Sequence, residues 1–338
     1  MIADSYKEDE IQTLITLAEL SFPVESPNNN SYKPFPKNIA EAQAYFRRFL
    51  LDQSGAYQSL QSKGLVSRQQ EQSKLTATGK RIAEEIRTAR PPIYYWYRDF
   101  YSAIENSNAF DDYSRKVFGR NLGQQGFSDM SQIHLMLNLV PLNSSSSVLD
   151  IGCGNGKIAE YISDLTGASV TGLDYIPEAI EQAKRRTASK KERLHFELAD
   201  FTTTTDIKNS FDIILSVDTI YFGDAKTILG LWKKMLNPHG RLVIFYLSMD
   251  GSDLQTSLKE KDLSCDVYDL SKENWEHQKL KHKVATELQE AFEAEGNAFV
   301  WKNLMRESVS NQEPYSPAVT RIRRYLYVAG LVGSLPGA

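Results

Sequence analysis

Apolar residues recur at helical spacing over 7–20, where Ile11, Leu14, Ile15 and Ala18 make one stripe, so this segment is expected to form an amphipathic helix. Over 21–38 the chain gathers Pro23, Pro27, Pro34 and Pro36 around Asn28, Asn29 and Asn30, a composition that predicts a long surface loop. Helical spacing returns over 40–51 and 57–65, with Gly64 placed as a C-terminal cap. Two short strands are then expected on either side of the polar stretch 69–73, followed by a helix ending near Arg90. From Ser147 the pattern changes. Short apolar runs at 147–151, 169–174, 194–198, 211–218 and 236–245 alternate with helical stretches, as in a parallel α/β sheet. Beyond them we expect a helix over 252–260, a strand over 265–270 and one long helix from Glu273 to about Ser308. Trp275, Leu280, Val284, Leu288 and Phe292 give that helix its apolar edge, with a kink at Gly296. A last strand is expected over 321–328.

At 338 residues with 41% apolar content, the chain can bury a full core and is long enough for about two domains. Its 43 acidic and 39 basic residues leave a formal charge of −4, which gives no general attraction to nucleic acid or an anionic membrane. Residues 57–90 hold a local excess of four positive charges, from Lys63, Arg68, Lys74, Lys80, Arg81, Arg87 and Arg90 against Glu71, Glu84 and Glu85. Two cysteines are too few for a disulfide framework or a cysteine-based zinc site. The first ten residues have no cationic and apolar signal pattern, and the apolar tail over 325–338 is interrupted by Gly330, Gly333, Pro336 and Gly337. It is shorter than the roughly 20 residues of a membrane span, so a cytoplasmic location without a membrane partner is expected. Aromatic residues crowd 94–110: Tyr94, Tyr95, Trp96, Tyr97, Phe100, Tyr101 and Phe110 serve equally as a core joining two domains or as the wall of an apolar pocket.

The run Lys63-Gly64-Leu65-Val66 followed by Leu75-Thr76-Ala77-Thr78-Gly79 resembles the turn of winged-helix domains, over about forty residues. More specific is the strand 147–151 leading into Gly152-Cys153-Gly154-Asn155-Gly156-Lys157 and a helix. Strand, glycine loop and helix N-terminus together make a nucleotide-binding geometry, because the glycines let a ligand reach free backbone N–H groups. Lys157 stands where a dinucleotide fingerprint needs its third glycine, which disfavours dinucleotide binding. The stretch from Val148 to Gly156 closely resembles motif I of class I S-adenosylmethionine-dependent methyltransferases. Four further segments resemble that family in order: 169–174 ending in Asp174, 194–201 with Asp200 and Phe201, 211–218, and the turn and strand 236–245.

This resemblance implies a Rossmann-like, doubly wound, seven-stranded α/β sheet over 121–338 with a helical insertion near the C-terminus. It leaves 1–120 as a mainly helical, winged-helix-like lid or dimerisation domain, so a homodimer stays open. It also implies S-adenosyl-L-methionine as cofactor. Gly152, Gly154, Gly156 and Asn155 would lie against its methionine part, with Cys153 as a small buried neighbour. Asp150 would accept from its ammonium or from loop N–H groups, and Asp174 from its ribose. Tyr175 or Ile176 would cover the adenine, Asp200 would take the adenine amine beside Phe201, and Ser216 and Gln125 would complete the cofactor contacts. Gln125 belongs to the 120–129 stretch, which resembles a segment folding over the cofactor in small-molecule methyltransferases.

The turn over 216–222 lacks the two prolines that amine methyltransferases of nucleobases and glutamine carry there, and neither cysteine has the Pro-Cys context of cytosine C5 methylation. The acceptor implied is therefore the N, O or C nucleophile of a small organic molecule. Should it need a base, Tyr221 and Asp218 after the fourth strand are the candidates, with His134 third. His239 reads as a turn residue and His195 as a buried strand residue. His277 and His282, five apart, do not share a helix face, so no metal site is expected. Two alternatives stand beside this reading: a winged-helix DNA-binding regulator with a cofactor-sensing half, and a methyltransferase acting on peptides or proteins.

Overall fold

The N-terminal apolar stripe is buried as helix α1 (Glu8–Ser21), with Leu14 fully enclosed. The computed structural model describes residues 5–21, 53–69, 72–89, 94–124, 126–202, 210–248, 251–318, 320 and 322–332. The expected loop beyond Ser21, the helix over 40–51 and Gln125 lie outside the described residues. The chain divides into two compact units, residues 1–94 with 285–308, and residues 95–284 with 309–338. The division expected near residue 120 thus falls inside the second unit.

In the first unit α1 packs on α2 (Gln53–Ser62), on strand β2 (Gln72–Leu75) and on α3 (Ala77–Thr88), burying Leu60, Ala83 and Ile86 completely. Strand β1 (Val66–Gln69) pairs antiparallel with β2 in a hairpin whose link is 70–71. Thr76 caps α3, its hydroxyl oxygen accepting from the Gly79 N–H at 3.1 Å while donating to the Gly64 carbonyl at 2.8 Å. Glu10, 2% exposed, accepts from Lys63 Nζ at 2.7 Å and Ser59 Oγ at 2.6 Å, so its buried charge is compensated. Helices α12 (Gln289–Ala294) and α13 (Ala298–Arg306) also belong to this unit.

The second unit begins with α4 (Tyr94–Ile104), α5 (Asn108–Phe118) and α6 (Met130–Leu139). They are followed by β3 (Ser147–Ile151), α7 (Lys157–Thr166), β4 (Ser169–Asp174), α8 (Pro177–Arg186), β5 (Leu194–Leu198), β6 (Phe211–Val217), α9 (Ala225–Lys234) and β7 (Leu236–Ser248). After these come α10 (Gln255–Lys259), β8 (Leu263–Asp269), α11 (Ser271–Glu287) and, beyond α12 and α13, β9 (Arg323–Leu331). The seven strands lie in the order β5-β4-β3-β6-β7-β9-β8, the first five parallel and β9 antiparallel between β7 and β8. This is a Rossmann-like, doubly wound sheet. Covered on both faces, its central strands are continuous apolar runs, with Leu149, Ile151, Ile214, Leu215 and Val243 through Phe245 all inaccessible. The order reverses between β3 and β4 on one side and β6 on the other, which opens a crevice at the carboxyl end of β3.

Two expectations need correcting. The segment from Glu273 to Ser308 is not one helix with a kink: α11 stops at Glu287, and Gly296, in the left-handed region at φ 71°, closes α12 as a cap glycine does. His195 is exposed, because β5 is an edge strand with alternate residues turned outward. Among the described residues no helix is long and apolar enough to cross a membrane.

Phe245 sits at the centre of the sheet with no exposed surface. Phe245→Ala should lower the unfolding free energy by about 3–5 kcal/mol. Leu165→Ser, at a position 59% exposed, should change it by less than about 0.5 kcal/mol. Urea denaturation of the two variants checks both values.

Candidate active site

Strand β3 ends at Ile151, and the next five residues turn the chain into α7 through Gly152, Gly154 and Gly156, all with positive φ (70°, 55° and 72°). All three are required for contact as well as conformation, a Cβ at Gly152 meeting the Thr219 methyl. A Cβ at Gly154 would collide with the Tyr101 hydroxyl, and one at Gly156 with the Phe196 ring. The loop is pinned to the neighbouring strand: the Gly152 and Cys153 N–H groups donate to the Leu173 carbonyl at 2.8 and 2.9 Å. The Gly154 N–H donates to Asp174 Oδ2 at 2.9 Å, and the Ile176 N–H to Asp174 Oδ1 at 2.9 Å.

Gly152, Cys153, Asp174 and Ile176 line one cavity within the second unit, open to solvent at its mouth. Its floor is Asp150, Gly152, Cys153 and Asp174; Tyr175, Ile176 and Phe201 form one end. Tyr97 and Tyr101 of α4, Leu122 through Gln124, Gly126, Ser128, Ile158, Val217, Asp218, Thr219 and Phe222 form the rest. The Tyr175 and Phe201 rings stack at 6.4 Å, and Tyr97 meets Phe222 edge-on at 5.8 Å. Aromatic residues of 94–110 therefore serve in part as a pocket wall.

The floor is electrostatically costly. Burial, reinforced by the charge of Asp174, pushes Asp150 up to about 7. Burial also pushes Asp174 up to about 6, against the N–H groups of Ile176, Gly154 and Tyr175 that favour its charge. Asp150 Oδ2 and Gln124 Nε2 are buried without a hydrogen-bond partner among the described residues. An orphaned carboxylate oxygen and an orphaned amide donor fit a ligand bearing a cationic amine and a carboxylate. Asp174 retains lone pairs for hydroxyls, and the Tyr175–Phe201 end suits a flat ring.

Of the other sequence-predicted residues, Asn155 is buried at 3% exposure beside the cradle, its carbonyl accepting from Arg186 at 2.7 Å. Ser216 is inaccessible and shares a 2.7 Å hydrogen bond with Thr219 Oγ1. Asp200 Oδ1 accepts from the Thr202 N–H and hydroxyl at 2.9 and 2.6 Å, and Asp200 is not among the cavity-lining residues. Burial raises the Cys153 thiol well above its usual range, so it stays an unreactive neutral group.

The base candidates are placed differently from expectation. Asp218 lines the cavity but is held by Arg324 of β9: both its oxygens accept from the guanidinium, Oδ2 at 3.2 Å. Oδ2 also accepts from the Phe127 N–H at 3.1 Å and from Ser128 Oγ at 3.3 Å. Tyr221 donates to Asp218 Oδ1 at 3.1 Å and accepts from the Leu247 N–H, and burial lifts its phenol well above the usual range. Neither is free to take a proton. His134 is exposed, bonded through Nε2 to the Tyr161 hydroxyl at 2.7 Å, and does not line the cavity.

Sequence reasoning missed Arg324, wholly buried, which also donates to Ser128 Oγ at 2.6 Å and Gln132 Oε1 at 3.2 Å. It also missed Lys281, equally buried, which donates to the Gly126 carbonyl at 3.2 Å and lies 4.7 Å over the Phe127 ring. Burial near Lys281 lowers His277 to about 4, and no group of metal ligands forms among the described residues.

Residues 142–292 match the methyltransferase-domain family model. Over 130 residues the chain is 31% identical to a phosphoethanolamine N-methyltransferase of Triticum aestivum, covering 38% of this chain and 25% of that one. Over 150 residues it is 27% identical to the 27-O-demethylrifamycin SV methyltransferase of Amycolatopsis mediterranei, covering 40% and 55%. The chain thus spans about a quarter to a half of the length of these relatives. Among solved structures it resembles a phosphoethanolamine N-methyltransferase 2 of Haemonchus contortus in complex with phosphomonomethylethanolamine and S-adenosylhomocysteine. The TM-score is 0.52 at 17% identity, covering 70% of this chain and 59% of that one, a likeness of fold. The matched segment contains the glycine loop, Asp150, Asp174 and Asp218; Tyr97, Tyr101, Gln124 and Arg324 lie outside it.

Both floor carboxylates titrate above the usual carboxylate value of roughly 4, so between about pH 4 and 7 the folded chain holds protons that the unfolded chain has released. Their ionisation therefore removes stability as pH rises through this window. Asp150→Asn should raise the thermal midpoint by several degrees at about pH 8 and leave it unchanged near pH 4. Calorimetric scans at the two pH values check the sign.

Proposed function

We propose that this protein is an S-adenosyl-L-methionine-dependent methyltransferase that alkylates an N, O or C nucleophile of a small organic acceptor. The observation that carries the reading is the pair of buried carboxylates on a glycine-loop floor, one with an oxygen lacking a hydrogen-bond partner, within the segment matching the methyltransferase-domain family. An electron-poor sulfonium methyl is what the cofactor supplies when bound. Asp150 then holds the ammonium, whose charge returns Asp150 to its ionised form, and Gln124 Nε2 takes the carboxylate. Asp174 accepts from ribose hydroxyls while bracing the loop through Gly154, and Tyr175, Ile176 and Phe201 enclose the adenine. Asp200 would accept from the adenine amine, and Asn155 would lie on the methionine side.

The remaining catalytic contribution is positioning and exclusion of water. Asp218 and Tyr221 act as positioning residues: Arg324 and Asp218 together fix the Phe127–Ser128 backbone on the acceptor side, and Tyr221 ties that cluster to β7. Asp174→Ala removes two charge-assisted hydrogen bonds to the ribose, of order 1.5–3 kcal/mol each before solvent compensation. Affinity for S-adenosylhomocysteine should fall at least about tenfold by titration calorimetry, and unchanged affinity would remove Asp174 from the cofactor site.

We read the N-terminal region, expected over 1–120, as a winged-helix-like lid or dimerisation domain rather than a DNA reader. Of the seven basic side chains over 57–90, three are paired, Lys63 with Glu10, Arg81 with Glu85 and Arg87 with Glu84, which reduces the charge left for phosphates. The full chain should give no salt-sensitive mobility shift with bulk duplex DNA at about 50 mM salt, whereas a shift that vanishes near 200 mM would favour the regulator.

A further inference from the structure

The charges around the cavity restrict what the second substrate can be. Its described lining carries three carboxylates, Asp150, Asp174 and Asp218, and no lysine, arginine or histidine. The neighbouring cations are committed elsewhere. Arg324 is spent on Asp218, Ser128 and Gln132. Lys281 points at the Gly126 carbonyl and the Phe127 ring. Lys157, whose charge burial disfavours, bonds to Asn121 Oδ1 at 3.2 Å.

With Asp150 and Asp174 ionised and the Asp218–Arg324 pair neutral, the floor holds two negative charges. S-adenosylmethionine brings one net positive charge, from its sulfonium and ammonium against its carboxylate. The lining side chains and the cofactor together therefore sum to one negative charge in a medium of low dielectric. A phosphomonoester placed beside the methyl would add about −1.5 to −2 more with no cation among the described lining residues to receive it, and such a buried like charge is strongly disfavoured. The walls at that end, Tyr97 edge-on to Phe222 with Val217 beside them, instead offer apolar and π surface, which also stabilises a cation.

Resting on the methyltransferase reading, we infer that the acceptor carries no anionic group: it is a neutral or amine-bearing molecule with a flat, apolar body, and phosphorylated amines are excluded. The site thus departs in substrate class from the phosphoethanolamine enzymes to which its cofactor half is similar.

The test uses the full chain. Titration calorimetry with S-adenosylhomocysteine comes first and judges the methyltransferase reading by itself, since absence of binding there ends that reading before any acceptor is added. Thermal shifts of the S-adenosylhomocysteine complex are then measured with tyramine, dopamine, catechol and phosphoethanolamine, each at about 5 mM. Tyramine, dopamine or catechol should raise the midpoint by at least about 2 °C, and phosphoethanolamine should not. Tyr97→Leu should reduce the productive shift at least about threefold while S-adenosylhomocysteine affinity stays within about twofold. Tyr97→Phe, which keeps the ring, should restore it. A shift with phosphoethanolamine, or transfer of labelled methyl to it, overturns the inference and leaves the cofactor assignment standing. No shift with any of the three aromatic probes also overturns it, as does a Tyr97→Leu variant that binds them like the parent.

Discussion

A guanidinium with no exposed surface must find a carboxylate and several acceptors or the fold cannot hold it, and Arg324 on β9 imposes that condition on the acceptor side of the cavity. Its partners come from distant parts of the chain: Asp218 after β6, Ser128 before α6 and Gln132 within α6. Removing one partner of such a pair typically costs about 3–5 kcal/mol, because a buried charge is left uncompensated. That scale is enough to hold Asp218 at φ 58°, a left-handed conformation that costs a non-glycine residue roughly 1–2 kcal/mol. Thr219 follows directly, hydrogen-bonded to Ser216 and to the Ile151 carbonyl at 3.0 Å, so the end of β6 is joined to the start of the glycine loop.

The cofactor end follows a different logic. Here two carboxylates stand unpaired by any cation, and the fold bears the cost of burying them as raised proton affinity. An apolar pair of similar shape would be cheaper in the free protein. Such a site is unfavourable alone and becomes favourable with a cationic ligand, so part of the ligand's binding energy offsets desolvation already present in the fold. Backbone N–H groups moderate the penalty at Asp174 but not at Asp150, which is why the latter rises further. Tyr101 belongs to the same balance: its hydroxyl approaches Gly154, and burial with the nearby acids raises it well above its usual range, so it remains a neutral phenol.

Much of this was legible in the sequence where structure is local. The runs 147–151, 169–174, 194–198 and 211–217 are strands, and Gly152, Gly154 and Gly156 adopt the left-handed conformations that their spacing in a strand-to-helix turn demands. Asp174 reaches the loop because β4 lies in register beside β3. What escaped is non-local. Nothing around Arg324 in the sequence distinguishes it from half-buried Arg323, since strand alternation alone assigns both a direction but no partner. Asp218 and Tyr221 sit after β6, where their chemistry suggests proton transfer, and only the arrival of β9 shows them committed to Arg324 and to the Leu247 N–H. The single long helix failed for another reason: a near-heptad edge specifies a face, not continuity, and Gly296 permits a full stop.

This difference in locality separates the glycine-loop end of the cavity from the rest of its wall. The glycine loop and its two carboxylates lie within thirty consecutive residues, inside the segment that matches the methyltransferase-domain family. Tyr97, Ser128 and Arg324, which shape the other end, lie outside it. A local motif is constrained by backbone geometry, because every glycine and carboxylate in it answers to another a few ångströms away. Side chains delivered by separate helices and the last strands answer only to their buried partners, and a different set with balanced charge would serve the sheet equally well. The fold and the glycine-loop floor therefore follow from the matched segment, whereas the opposite wall must be read from α4, Ser128 and β9, where this chain places aromatic rings and a neutralised ion pair.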